Sequence, residues 1–514
     1  DLYFQNKNCA MIFPRLLFAS SFVMLFHLQL FTQNTSQAID HSELSRLLAR
    51  IDQIADEEMA EQHIPGMTIA IVQAGKTIFK KGYGYADMYT GKAVDPDQSI
   101  FRIGSVSKAV TLLALTKLID EGRIDYDDDV SQYFPNIQNP NNYQEPLRIR
   151  HLLSHTTGLD QIGLDRHTWR LDLSLPERNA ERPSLEDFLS KYLIRRAPAG
   201  QRYVYDTYGT SLAGAIIAKV VGKPYREAMN EVLFAPLGMT QSGVDRILDP
   251  QANMASGHGF NDGAYQVMPY ELYSTTPASS IDATAGDMAL LLEVLTGDGT
   301  NQYGRLFTAE TLQRVLGPEY RPHPEFVGTT HGLHEGFYYG LGEEAYEVRS
   351  IAHGGDMIGH RTQFRILPEY QLGIFISVNR NREAGGGNIT IDRTIVNAIL
   401  EHLKVPKRQN PHPVPEKTEV DLSEYRGNYF YAVFCHTCAA TEVERGAWEP
   451  GWNRSVKVVN GALVLDEQRY LLKGNDVFVR EDGYDMLFFT RNEKGQVISV
   501  QAEDDNNTFE RIVE

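Results

Sequence analysis

Apolar and polar positions change their period several times along this chain, and each change marks an element. The run Thr68-Ile69-Ala70-Ile71-Val72 is followed by a turn at Ala74-Gly75-Lys76 and a second short run, Thr77-Ile78-Phe79. That pattern predicts a β-hairpin within residues 66–86. Residues 105–121 read as a helix closed by Gly122, and its stretch from Ala109 to Leu115 is apolar almost all round, which predicts burial. Residues 212–221 and 287–295 read as further helices, and 350–353 and 363–378 return to strand character. Pro368-Glu369-Tyr370 divides the last of these, and 394–403 reads as a closing helix. Strands at both ends with helices between them predict an α+β domain over residues 39–405, its sheet assembled from the two ends of the region.

Pro406, Pro411, Pro413 and Pro415 then crowd together, and residues 406–420 read as a semi-rigid linker. Beyond it, short alternating runs such as Val477-Phe478-Val479 and Met486-Leu487-Phe488-Phe489 are separated by turn signals at Asn460-Gly461, Gly474-Asn475-Asp476 and Asp482-Gly483. Residues 421–514 therefore read as a small antiparallel barrel or sandwich.

The amino terminus reads as something other than fold. Leu2-Tyr3-Phe4-Gln5 has the form of an expression-tag remnant, residues 1–10. Residues 11–38 carry a positive charge at Arg15, continue through a mostly apolar run from Leu16 to Phe26 and close on a polar stretch ending Thr35-Ser36-Gln37-Ala38. That is the layout of a secretory signal peptide, or alternatively of an N-terminal membrane anchor extending to Phe31. Either reading predicts a secreted, periplasmic or envelope-associated protein. The length of 514 residues implies more than one domain, and the net charge of −18 argues against nucleic acid and against adhesion to anionic lipid. Three cysteines cannot build a disulfide framework. Cys435 and Cys438 form an isolated C-x-x-C without further ligands at zinc spacing, read as a reduced or locally bridged pair, with a redox or metal role as the alternative.

The candidate chemistry lies at Ser105-Val106-Ser107-Lys108, where a strand-like Ile100-Phe101-Arg102-Ile103 meets the buried helix through Gly104. A serine hydroxyl needs a neighbouring base to become a nucleophile. Lys108, three residues on, shares its helix face and can act as that base. The alternative is an N-terminal cap followed by a solvated lysine. A lysine leading into so apolar a helix favours the first.

Phe101 to Lys108 resembles the first motif of the serine β-lactamase and penicillin-binding-protein superfamily. The version here is nearest to its class C β-lactamase, D-aminopeptidase and esterase branch. Four further segments follow in the order expected of that branch: Ile149 to Leu159 (with His151 and His155, read as structural), Tyr203-Val204-Tyr205-Asp206-Thr207, Phe234 to Met239, and His353-Gly354-Gly355. The resemblance covers roughly residues 45–400 and implies a β-lactamase-like fold, an antiparallel sheet flanked by helices with a helical subdomain. The carboxy-terminal region would be a lipocalin-like barrel.

The resemblance also implies roles. Ser105 would form the acyl-enzyme, and Lys108 and Tyr205 would share the proton work. His353, Gly354, Gly355, Asp356 and Thr207 would line the substrate site, and the backbone N–H groups of Ser105 and Asp356 would form an oxyanion hole. No metal or organic cofactor is implied. Thr207 stands where β-lactam-cleaving relatives carry an asparagine, and His353 where they carry a lysine. Both departures point from β-lactams toward small-molecule or peptide substrates cleaved at an ester or amide. An acyltransferase and a non-catalytic envelope protein remain the alternatives.

Overall fold

A computed structural model describes residues 41–160, 170–172, 182–341, 344–381, 391–408, 412–416, 420–431, 453–503 and 508–511. The amino-terminal leader, Cys435, Cys438 and most of the loop 160–182 lie outside the described residues. The chain separates into two compact units, Asp1–Ala49 and Arg50–Glu514, and all that follows concerns the second. No described helix is long and apolar enough to cross a membrane.

The hairpin forms where the apolar pattern predicts it. β1, Gly66–Gln73, is buried along almost its whole length and pairs antiparallel with β2, Lys76–Asp87. Ala74 and Gly75 between them both take positive φ, 49° and 72°, the twist that a two-residue hairpin turn requires. On its other side β1 pairs with β9, Leu372–Val378. The main sheet runs β6 (His334–Leu341), β7 (Glu344–Met357), β8 (His360–Leu367), β9, β1, β2 and β3 (Lys92–Ala93), with all pairings antiparallel. The two ends of the domain therefore meet at the β1–β9 pairing. Short β4, Phe101–Arg102, pairs instead with β5, Ile281–Ala283, in a separate small sheet that delivers the chain to Ser105.

α1, His41–Glu61, precedes the hairpin in the chain, and α2, Val106–Asp120, lies inside the protein. From Val106 to Thr116 every residue is buried, along with Leu118, which is why its sequence shows no polar face. It packs against α3, Thr207–Val221, while α4, Ala285–Thr296, packs on β1 and β9. α3 begins five residues earlier than its apolar run suggests. Asp206 caps it, accepting from Gly209 N at 2.5 Å and also from the Thr157 hydroxyl. Burial of each core leucine such as Leu112, Leu113 or Leu212 contributes about 1.5–3 kcal/mol.

Eight strands, the first Gly427–Tyr431 and the last Thr508–Arg511, close into a barrel around Tyr429, Phe478 and Phe489. Closure removes the open edges that a sandwich would leave. The proline-rich stretch before it is pinned at two points. Lys407–Arg408 (β10) adds to β7, and the His412 amide donates to Gly483 O at 2.9 Å. The barrel also shares an apolar cluster with the first domain, in which Phe326 and Val327 pack on Val477, Val479 and Met486.

Candidate active site

Ser105 occupies the N-cap of α2 with φ −65° and ψ −11°, and its hydroxyl makes no capping hydrogen bond. The capping alternative is thereby removed. Lys108 is 2% exposed, so the solvated-lysine alternative goes with it. Lys108 Nζ lies 3.2 Å from Ser105 Oγ and 3.2 Å from the Ala278 carbonyl oxygen. It also sits 4.7 Å from the centre of the Tyr205 ring. Neighbouring Ser107 turns the other way and accepts from Ile281 N at 3.0 Å, tying α2 to β5.

Two glycines shape the approach to the nucleophile. Gly104 takes φ +55°, and a Cβ there would lie 3.0 Å from Asp356 N. A Cβ on Gly355 would fall 2.0 Å from the Ile103 carbonyl oxygen and 3.3 Å from Ser105 N. The chain entering Ser105 and the chain entering Asp356 therefore run in close contact, with both amide nitrogens beside the contact. The β6–β7 register begins at His334↔Ala352, one residue before His353-Gly354-Gly355, so this part of β7 extends past its neighbour.

A cavity of about 250 Å³ opens here, lined by Ser105, Tyr205, Gly354, Gly355 and Asp356. Arg361, Gln363 and Asp392 add polar groups, and Ile376, Val378 and Ile391 add apolar ones. Arg361 lies 3.9 Å from the Asp356 carboxylate. Burial pushes the Asp392 carboxyl above its usual range, against the opposing pull of Arg365 and Arg393.

Thr207 and His353 are placed differently from expectation. Thr207 is the first residue of α3 and is buried, 5% exposed, without lining the cavity. The His353 ring is also buried, 3% exposed, and turns toward Tyr205 (5.9 Å between ring centres) and His334 (5.0 Å). Strand alternation puts His353 on the same face as Gly355, turned toward the chain that enters Ser105, and the Tyr205 and His334 rings pack beside it there. His353 Nδ1 donates to Gly354 O at 2.6 Å, and burial pushes its pKa well below the ordinary value, with His334 and Lys108 adding to the effect. His353 is thus a neutral ring packed behind Tyr205.

His334 in that cluster was not marked by sequence reasoning, whereas His155, read there as structural, and Tyr203 both join it. His155 accepts from Asp206 N at 3.3 Å, and its ring lies 5.5 Å from Tyr205 and 6.2 Å from His334. Tyr203 OH is 3.3 Å from His334 Nδ1. The segment holding His334 carries no motif that would have marked it. His151, by contrast, has a local structural job, its Nδ1 accepting from the Arg148 amide at 3.1 Å.

The Beta-lactamase family model matches residues 51–395, more than half of the chain. The chain belongs to the Beta-lactamase family. Among curated relatives, Protein flp of Staphylococcus aureus (strain N315) is 26% identical over 348 residues, 65% of this chain and 63% of that protein. The chain thus spans less than two thirds of the length of this relative. Penicillin-binding protein 4* of Bacillus subtilis (strain 168) is 25% identical over 76% of this chain and 84% of its own length. Among solved structures, SurE with D-Leu matches 92% of this chain and 100% of its own at TM-score 0.61 and 20% identity. The D-amino acid amidase of Ochrobactrum anthropi SV3 matches 70% of this chain and 99% of its own (TM-score 0.52, 24% identity). EstCE1, a hydrolase with promiscuous acyltransferase activity, matches 69% of this chain and 99% of its own (TM-score 0.55, 20% identity). At these identities the structures show the fold alone. The family is one of serine hydrolases, and the fold is β-lactamase-like with an added closed barrel.

Proposed function

We propose that this protein hydrolyses small esters or amides, D-amino-acid amides and peptides among them, through an acyl-enzyme on Ser105. The observation that carries the reading is the Lys108 nitrogen held 3.2 Å from Ser105 Oγ inside the protein. In the reaction Ser105 Oγ attacks the acyl carbon as its proton passes to the Lys108 and Tyr205 pair. The carbonyl oxygen takes up negative charge beside the Ser105 and Asp356 amides. The leaving alcohol or amine then receives the proton, and water reverses the sequence to free Ser105.

The cavity of about 250 Å³ falls just below the usual ligand-pocket range of about 300–1,000 Å³. That favours small acyl groups. The neutral, inward-facing His353 offers no cation to a β-lactam carboxylate, which supports weak or absent β-lactamase activity. Transfer of the same acyl group to an alcohol or amine is the second reading, consistent with the likeness to EstCE1. The leader-like sequence before the described residues supports a secreted or envelope-bound location, with a membrane tether where that leader is retained.

Incubation with a fluorophosphonate and peptide mass mapping tests the central step. An adduct on Ser105 is expected, with turnover of p-nitrophenyl esters or D-amino-acid amides exceeding that of nitrocefin. No adduct on folded protein would sink the reading. Product analysis with competing alcohols separates hydrolysis from transfer.

A further inference from the structure

The last strand of the barrel reaches the loop that carries Tyr205. Thr508, the first residue of this strand (Thr508–Arg511), donates from its hydroxyl to the Tyr203 carbonyl at 2.7 Å, in a buried bond. Glu510 accepts from Arg196 at 3.2 Å and from Arg202. The Glu510 side chain is 18% exposed and that of Arg196 7%, so the pair is shielded and not a loose surface contact. Strand alternation explains the arrangement. Thr508 and Glu510 share one face, while Phe509 between them turns into the barrel core.

On the catalytic side, the contacted segment runs between fixed points. The Arg196 amide donates to Gly158 O at 2.8 Å, and the Val204 amide donates to His155 O at 2.9 Å. Between them Arg202 and Tyr203 are held from the barrel. The Tyr203 ring meets His155 and His334, the same histidines that pack against Tyr205. Contacts from the barrel therefore reach the Tyr205 ring through one residue of backbone and two buried rings.

We propose that Thr508 and Glu510 are positioning residues for the hydrolase, fixing the Tyr205 loop against Lys108 and Ser105. The inference rests on the Ser105 acyl-enzyme reading. It makes the barrel part of the working site, because the catalytic domain alone lacks two of the groups that hold its tyrosine in place. A misplacement of about 1 Å in such a group can cost up to about 10²-fold in rate.

The test uses the full chain with Thr508→Val, Glu510→Gln, the double variant and the conservative Glu510→Asp. Three quantities are read: the rate of Ser105 labelling by fluorophosphonate, kcat and KM for a p-nitrophenyl ester, and hydrogen exchange of the amides in 196–206. In the double variant, labelling and kcat should fall roughly ten-fold with KM nearly constant, the pattern of an interaction that matters in the transition state. Exchange in 196–206 should rise, and Glu510→Asp should recover most of the rate lost in Glu510→Gln. Parental rates despite faster exchange would overturn the positioning role, as would unchanged exchange. Loss of rate only in proportion to unfolded protein would do the same. Failure of the parent chain to label at Ser105 would overturn the acyl-enzyme reading itself, and the positioning role with it.

Discussion

Gly354 and Gly355 are adjacent, yet a methyl group added to each should have opposite consequences. A Cβ on Gly355 falls 2.0 Å from the Ile103 carbonyl oxygen and 2.9 Å from its carbon, both backbone atoms that cannot rotate away. Restoring an ordinary contact of 3.4 Å from 2.0 Å requires β7 and the strand before Ser105 to part by roughly 1.4 Å. A Cβ on Gly354 meets the Gln363 amide nitrogen at 3.3 Å, the far end of a flexible side chain that can turn aside. The separation forced by Gly355→Ala moves the Ser105 and Asp356 amides apart. Losing one donor of an oxyanion hole costs about 10²–10³-fold in kcat.

Gly355→Ala should therefore lose about two orders of magnitude in kcat for a p-nitrophenyl ester while its KM changes far less. Overpacking should also cost about 1–3 kcal/mol of stability, visible as a lower Tm. Gly354→Ala should keep kcat within about three-fold, since volume alone is added where a side chain can give. The assay is steady-state ester hydrolysis of both variants beside thermal unfolding. Equal activity in the two variants, or a folded Gly355→Ala with parental kcat, would refute the placement of the oxyanion site between Ser105 and Asp356.

Other expectations follow from single groups. Lys108→Met should leave the fold intact, because methionine fills the same buried channel, and should slow Ser105 labelling by about 10²–10⁴-fold, the worth of a positioned base. Glu335→Ala should destabilise by about 3–5 kcal/mol in denaturant titration, because its fully buried carboxylate accepts from Arg321 at 2.7 Å and Arg349 at 2.6 Å and both guanidiniums would lose that counter-charge. His331 is buried, and burial lowers its pKa from 6.5 to about 3. Between those values the unfolded chain binds a proton that the folded chain refuses, so this group makes stability fall as pH drops from about 6.5 toward 3. Replacing His331 by Gln, which can still bond Tyr126 OH, should flatten the stability–pH curve there by about 1.4 kcal/mol per pH unit. An unchanged slope would show that His331 is protonated in the fold.

The helix after Ser105 was legible because burial on every side leaves a composition no surface helix would tolerate. The β1–β2 hairpin was legible because Ala74-Gly75 can supply the left-handed turn that joins its strands. The barrel's strands were legible for a similar local reason, turn residues at regular spacing, whereas the choice of a barrel over a sandwich came from the family resemblance, since nothing local shows that the first and last strands pair. His353 marks the boundary more sharply. Its position beside two glycines identified the strand that borders Ser105. Which face its ring takes depends on strand register, and register is settled by β8, where His353 stands opposite Phe364. Glu510 lies wholly beyond such reading. It is 314 residues from Arg196, and no period or motif joins a barrel glutamate to an arginine on the tyrosine loop. Contacts of that range arise from the complementarity of two finished surfaces. A chain of this family can therefore keep every motif from Ser105 to Gly355 and still differ in activity through the domain attached to it, and variation in this group is best sought at the seam around Tyr203.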